Sequence, residues 1–179
     1  PLPRALASAV AERFRGVLPG SGCVVLSDYA KGALHEVRAM VRAAKDSGRT
    51  VVVDPKGDDF ARYAGADVIT PNQGELAQVV GAWSDEDDLH RKATELRRAF
   101  DIRSLLLTRS ERGMSLFSDV CGEAGRLDFP AEARDVYDVT GAGDTAIATL
   151  AVMLAEGRSL IEATRLANRA AGMVVGKFG

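Results

Sequence analysis

Short apolar runs that each close on a polar residue, with helical patterning between them, set the strongest limit on how this chain can fold. Cys23-Val24-Val25-Leu26 closes on Ser27-Asp28, Thr50-Val51-Val52-Val53 on Asp54-Pro55, Val68-Ile69-Thr70 on Pro71-Asn72, and Leu105-Leu106-Leu107 on Thr108. Each run is too short for a buried helix, and β-branched residues dominate two of them, so all four read as strands. Between them, residues 34–44, 73–80 and 85–100 carry apolar positions at helical spacing. Strand, helix, strand, repeated without a hairpin signal, predicts an α/β fold: a doubly wound, mostly parallel sheet with helices on both faces.

The remaining segments fit around that sheet. Residues 4–18 place Leu6, Val10, Phe14, Val17 and Leu18 at helical spacing, and Pro19-Gly20 with Gly22 ends the pattern. Residues 114–117 read as a partner strand after the turn Glu111-Arg112-Gly113, and residues 126–129 as an edge strand. Helices over 142–156 and 159–175 close the chain.

In open α/β sheets, ligands collect outside the carboxyl ends of the strands. Asp28, Lys31, Asp54, Lys56, Asn72 and Glu75 all fall there. Lys31 and Lys56 suit phosphate as mobile point charges, although solvated surface lysines give the same pattern. Asp28 and Asp54 are candidates for a ligand or metal contact, and equally for loop starters, as aspartates often are.

The last helix pair opens on Asp138-Val139-Thr140-Gly141-Ala142-Gly143-Asp144-Thr145. Glycines let backbone N–H groups approach an anion, and the first turn of a helix adds unpaired donors and the positive end of the dipole. Capping by Asp and Thr with a tight glycine turn is the plainer reading of the same residues. Asp144 is the only charged residue from 142 to 155, which predicts a buried helix with a carboxylate at its start.

Composition narrows the function. The 179 residues, 46% hydrophobic and 27% charged, suffice for one sizeable core and one soluble unit. A net charge of −2 offers no basic field for nucleic acid or an anionic membrane. Cys23 and Cys121 lie far apart with no Cys-x-x-Cys pairing, which argues against a disulfide framework or a zinc site and fits a reducing cytoplasm. His35 and His90 read as surface helix residues without metal-ligand spacing. The apolar stretch 142–155 is shorter than the ~20 residues a membrane span needs. No signal peptide is recognisable, and the chain begins at Pro1 rather than Met, as a fragment does.

Two motifs in this order and context resemble the ribokinase-like (PfkB-type) carbohydrate kinases. The Asp-Val-Thr-Gly-Ala-Gly-Asp of 138–144 is similar to that family's second signature, and Asn72-Gln73-Gly74-Glu75 to its Asn-x-x-Glu motif at the magnesium and phosphate site. The strings Ser27-Asp28-Tyr29-Ala30-Lys31-Gly32, Val53-Asp54-Pro55-Lys56-Gly57, Thr108-Arg109-Ser110-Glu111-Arg112-Gly113-Met114 and Leu166-Ala167-Asn168-Arg169-Ala170-Ala171-Gly172 resemble the heptose-7-phosphate kinase branch. That branch uses ATP to phosphorylate the C1 hydroxyl of D-glycero-β-D-manno-heptose 7-phosphate, on the route to ADP-heptose and the lipopolysaccharide core. Many ribokinase-like enzymes carry glycine where this chain has Ser110. The glycine-rich first signature and the early sugar-binding strands are absent from these residues, so the resemblance covers the carboxyl-terminal, nucleotide-binding part of a single sugar-kinase domain, residues 1–179. The His-x-Gly-His motif of a fused nucleotidyltransferase does not occur either.

The resemblance implies roles. Asp144 would be the base that orients the sugar hydroxyl, and the N–H groups of Gly141, Ala142 and Gly143 the anion hole for the transferred phosphoryl. Glu75 and Asn72 would hold Mg²⁺ through water. Thr108, Ser110 and Gly113 would line the ribose and phosphates of ATP and Asn168 the adenine side, while Lys31 and Lys56, as strand-end lysines, could meet the ATP phosphates or the sugar 7-phosphate, and Asp28 and Asp54 the sugar or metal. Asp138 and the backbone near Val139, with 174–179, correspond to a monovalent-cation site in many relatives, which leaves K⁺ as an open expectation. A cytoplasmic homodimer acting on a sugar phosphate is implied for the full-length protein, and sugar phosphorylation is not expected of the fragment alone. Another ribokinase-like sugar or nucleoside kinase, and a non-catalytic nucleotide-binding module, are the rival readings.

Overall fold

A computed structural model describes residues 4–132 and 141–175. Its strands run β1 (Cys23–Ser27), β2 (Thr50–Asp54), β3 (Val68–Ile69), β4 (Ser104–Thr108), β5 (Met114–Ser118) and β6 (Arg126–Phe129). They lie in one sheet in chain order, β1 to β4 parallel and β5 and β6 antiparallel. The helices are α1 (Arg4–Val17), α2 (Val37–Asp46), α3 (Gln73–Val80), α4 (Glu86–Ala99), α5 (Ala142–Ala155) and α6 (Leu160–Val175). The doubly wound α/β reading therefore holds.

The alternation of side chains along a strand explains the two layers of core. Val51 and Val53 of β2 and Leu105 and Leu107 of β4 enter one apolar cluster, with Val37 and Val41 of α2, Leu76 of α3, and Leu89 and Leu96 of α4. Val52 and Leu106, between them, enter the other cluster with Ala146, Ile147 and Leu150 of α5 and Ala163 and Ala167 of α6. Strands buried on both faces must be apolar throughout, which is why these runs do not alternate.

Three local expectations are corrected. In α1 the buried stripe is Ala7, Ala11 and, just past its end, Leu18, while Leu6, Val10 and Val17 face outward. The apolar positions ring more of that helix than the core can cover. In α2 the helix starts at Val37 rather than residue 34, because Ala30 (φ +54°) and Gly32 (φ +94°) put the chain through successive tight turns first. And α5 is not a buried helix: only Ala146, Ile147, Leu150 and Ala151 are covered, while Asp144 and Val152 are exposed. Its composition is apolar all round, but one face alone meets the sheet.

The two histidines also differ from expectation. His35 lies in the turn before α2, and His90, in α4, is half-buried with its ring edge-on to Phe117 at 5.9 Å. Both cysteines are free thiols, and burial pushes Cys23 up to about 11 and Cys121 upward. Among the described residues, no helix is long and apolar enough to cross a membrane.

Candidate active site

Parallel pairing brings the strand ends into a row. Ser27 stands opposite Asp54 and Val53 opposite Ile69, and beyond the strands the Asp28 N–H donates to the Asp54 carbonyl at 2.9 Å. The Thr108 N–H donates to the Pro71 carbonyl at 3.0 Å, and Asn72 bridges Thr108. Asp28, Asp54, Asn72 and Thr108 thus share one edge of the sheet, as the sequence predicts.

Asn72 and Glu75 start α3 as a capping box. The Asn72 side chain accepts from the Glu75 N–H at 2.9 Å, and Glu75 Oε2 accepts from the Asn72 N–H at 3.0 Å. Glu75 Oε1 faces Lys56 Nζ at 2.9 Å, an ion pair that also raises the lysine's pKa. Lys56 thus stands at Glu75, not free on the surface.

Asp54 Oδ2 accepts from Ser27 Oγ at 3.0 Å. Burial raises its pKa, Ser27 opposes that, and the charges of Glu75 and Asp144 raise it further while Lys56 lowers it. The charges of Glu75, Asp144 and Lys56 thus all act on Asp54, although the four residues come from the end of β2 and the starts of α3 and α5. Among the described residues no group of three or more His, Cys, Asp or Glu side chains is placed to hold a metal ion by itself, so Mg²⁺, which keeps most of its waters and takes few protein ligands, would be held here through water. Glu75 would hold it through its capped, oriented carboxylate.

Next to this cluster, a cleft of about 370 Å³ is lined by Thr108, Ser110, Gly113, Ala142, Gly143 and Asn168. Six residues predicted from separate segments therefore meet at one cavity, within the size range of small-molecule sites. Gly141 opens α5 at φ +77°, and among the described residues no side chain caps the first N–H groups of that helix, the donors an anion would take. Gly113 has no room for a Cβ, which would meet the Phe129 carbonyl oxygen and Ala131 N at 2.6 Å. Ser110, where glycine is common in the resembled family, adopts φ +51°, the left-handed conformation that glycine takes most easily.

Two predicted residues are engaged by the protein's own groups, one of them at the cleft. Asp28 is 4% exposed, and its carboxylate accepts from the Ala30 N–H and the Tyr63 hydroxyl, each at 2.8 Å, with Arg62 at 3.4 Å. Those contacts describe a loop starter. Asn168 is 5% exposed and donates Nδ2 to the Pro130 carbonyl at 2.8 Å, fixing the exit of β6 beside the cleft. Lys31 is exposed in the loop after β1, beside a smaller hollow shared with Tyr29 and Leu34. Asp138, Val139 and Thr140, and residues 176–179, lie outside the described residues, and with them the monovalent-cation reading.

Sequence reasoning missed two supports. Tyr63, fully buried, joins Asp28 to Lys56, whose N–H donates to the phenol oxygen at 3.1 Å. Glu86, the first residue of α4, receives Arg109 and Arg126, and Arg112 at 3.4 Å. No local pattern announces either. The capping box, by contrast, was readable: Asn-x-x-Glu before an apolar run is itself a helix-start signature.

Comparison with known proteins agrees with this geometry. The model of the pfkB family carbohydrate kinases matches residues 16–179. The chain is 52% identical over 168 residues to the bifunctional protein HldE of Proteus mirabilis, covering 94% of this chain and 35% of that protein. It is 54% identical over 156 residues to the D-beta-D-heptose 7-phosphate kinase of Bordetella bronchiseptica, covering 87% of this chain and 49% of that one. The chain thus spans between a third and a half of the length of these relatives. Among solved structures, Arabidopsis thaliana ribokinase complexed with ribose and ATP superposes with a TM-score of 0.80 at 25% identity, over 94% of this chain and 54% of the ribokinase. A family match over nearly the whole chain, a ribokinase-like sheet and a glycine-lined cleft at its carboxyl edge agree: the chain belongs to the pfkB family of carbohydrate kinases.

Proposed function

We propose that this chain is the carboxyl-terminal, nucleotide-binding part of a sugar-kinase domain. That domain transfers the γ-phosphoryl of ATP to the C1 hydroxyl of D-glycero-β-D-manno-heptose 7-phosphate, giving the 1,7-bisphosphate for ADP-heptose and lipopolysaccharide core synthesis. The observation that carries the reading is the meeting of Thr108, Ser110, Gly113, Ala142, Gly143 and Asn168 at one cleft beside Asp144. The heptose acceptor is supported by the names of relatives more than half identical to this chain.

Phosphoryl transfer passes through a loose transition state, so the protein's work is to position reactants and spread charge. The N–H groups at the start of α5 supply donors for the moving phosphoryl, and the exposed Asp144 carboxylate in its first turn accepts the proton of the sugar hydroxyl. Thr108 to Gly113 form the wall for the triphosphate and ribose. Glu75, held by its capping box, would hold Mg²⁺ through water, and that ion would supply neutralisation of phosphate charge.

The test is ADP release by the full-length protein with heptose 7-phosphate, against ribose, fructose and adenosine as competing acceptors. Turnover confined to the heptose phosphate supports the assignment. Turnover with another acceptor alone moves the protein to a different sugar or nucleoside kinase, and ATP binding without turnover on any acceptor leaves a nucleotide-binding module.

A further inference from the structure

Lys56 is in an unusual position for a phosphate ligand. Its ammonium is not free but sits on Glu75 Oε1 at 2.9 Å, while the other oxygen of that carboxylate is held by the Asn72 N–H at 3.0 Å. Glu75 is nearly covered, with 11% of its side chain exposed, whereas the Lys56 side chain is 52% exposed. One partner is fixed and the other is able to leave.

The backbone beneath the lysine is fixed as well. The Lys56 N–H donates to the Tyr63 hydroxyl, which in turn is bonded to the buried Asp28 carboxylate at 2.8 Å. A long flexible side chain on an anchored backbone can change partners without moving the loop. Asp54 and Glu75 both act on the Lys56 charge, and Asp54 in turn feels Glu75 and Asp144, a negative field that is costly until a cation offsets it.

We propose that Lys56 is an internal counter-ion for Glu75 that exchanges with the divalent cation: Lys56 holds Oε1 while the site lacks its metal, and once the metal's water takes that oxygen, the released ammonium serves as a ligand for the nucleotide's phosphates. The proposal rests on the kinase reading of the 72–75 segment. It gives the resting site a way to keep its carboxylates paired and gives the loaded site an extra positive charge where phosphate arrives. Lys56 balances the same cluster twice, with a different partner each time.

Simple repulsion and a purely structural ion pair make other predictions, so the lysine is tested with two ligands. Binding of Mn²⁺ alone, followed by the loss of its free paramagnetic signal, and binding of Mg·ATP, followed by calorimetry, are measured on the full-length protein and on Lys56→Met, Lys56→Arg and Glu75→Gln. The exchange requires opposite shifts in Lys56→Met: Mn²⁺ alone tighter by about three- to tenfold, Mg·ATP weaker by a similar factor, with Lys56→Arg near the parent for both. If Lys56→Met binds both ligands more tightly, the lysine only repels cations; if it binds both more weakly, it only props up Glu75. Either result overturns the exchange. Glu75→Gln separates the underlying reading: Mn²⁺ and Mg·ATP affinities unchanged in that variant would place the cation elsewhere and remove the kinase role of the 72–75 segment itself.

Discussion

Arg109 and Glu86 meet as a two-pronged fork, Nη1 to Oε2 at 3.0 Å and Nη2 to Oε1 at 2.5 Å, tying the loop behind β4 to the first residue of α4. Arg109 is 5% exposed, its Nε has no partner among the described residues, and Nη1 also reaches Ser115 Oγ at 3.1 Å. Removing Glu86 would leave a buried guanidinium short of its acceptor in the loop whose neighbouring residues Thr108 and Ser110 line the cleft. Glu86→Ala is expected to cost about 1–3 kcal/mol, less than a fully buried pair because half of Glu86 lies in water, and to raise the KM for ATP. Denaturant unfolding and initial-rate kinetics check both.

The same pair sets an acid limit. Arg109 first, then Arg126, hold the Glu86 carboxyl down to about 2 from its ordinary 4.5, against the opposing effect of burial. A carboxyl lowered in the folded state contributes stability that is fully present above its unfolded value and is lost as pH falls from about 4.5 through about 2. Stability measured across that window should fall more steeply in the parent than in Glu86→Gln. Parallel slopes would remove the fork from the acid response.

Ser110 and Gly113 both turn the loop with positive φ, but for different reasons, and substitutions should separate them. Ser110 at φ +51° pays the left-handed cost of a side chain with no steric need for one, so Ser110→Gly should stay within about ±1 kcal/mol of the parent, strain relief offsetting chain entropy. Gly113→Ala forces a Cβ against the backbone of Phe129 and Ala131, and should lose more than about 2 kcal/mol. Unfolding midpoints of the two variants decide the matter.

How far the sequence reaches can be seen at particular residues. Val51 to Val53 and Leu105 to Leu107 are legible as central strands because only a strand covered on both faces is apolar at consecutive positions. Asn72, Glu75 and Gly141 to Asp144 are legible because a helix start and a phosphate site make the same demand, oriented N–H groups near an acceptor. The buried side of α1 is not legible, since Leu6 and Val10 look like core and face water. Nor are Tyr63 on Asp28 or Arg109 on Glu86, pairs 35 and 23 residues apart whose partners are chosen by packing and leave no periodic trace. The Asp54 carboxyl is a mixed case: it reads equally as a ligand contact and as a loop starter before Pro55, and no local pattern shows that the charge of Asp144, from a distant part of the sequence, also raises its pKa.

Asp144 stands exposed in the first turn of α5, so its substitution separates chemistry from folding. Asp144→Asn leaves Gly141 to open the helix and removes only the proton acceptor, with a loss of about 0.3–1 kcal/mol from the helix dipole. In the full-length protein, turnover should fall at least ~10²-fold while ATP affinity is retained. Coupled ADP assays and nucleotide titration measure the two quantities, and unchanged turnover would remove Asp144 from the mechanism.

Asp54 offers the opposite test, a residue whose charge works against the fold. Burial is the main cause of its raised pKa, and Glu75 and Asp144 add to it, so the folded state holds the Asp54 proton more tightly than the unfolded chain does. With a raised carboxyl the ionised form costs stability at neutral pH, and the cost disappears as pH falls through the folded value. Asp54→Asn keeps an oxygen to accept from Ser27 Oγ and removes the charge. The variant should therefore unfold at a higher temperature than the parent at pH 7, and the gain should shrink steadily on acidification. If Asp54 also shares the cation with Glu75, the same variant should bind Mn²⁺ more weakly. A charge that costs stability and aids metal binding belongs to a site, whereas a variant that is less stable at pH 7 would make Asp54 a structural residue of the β2 end.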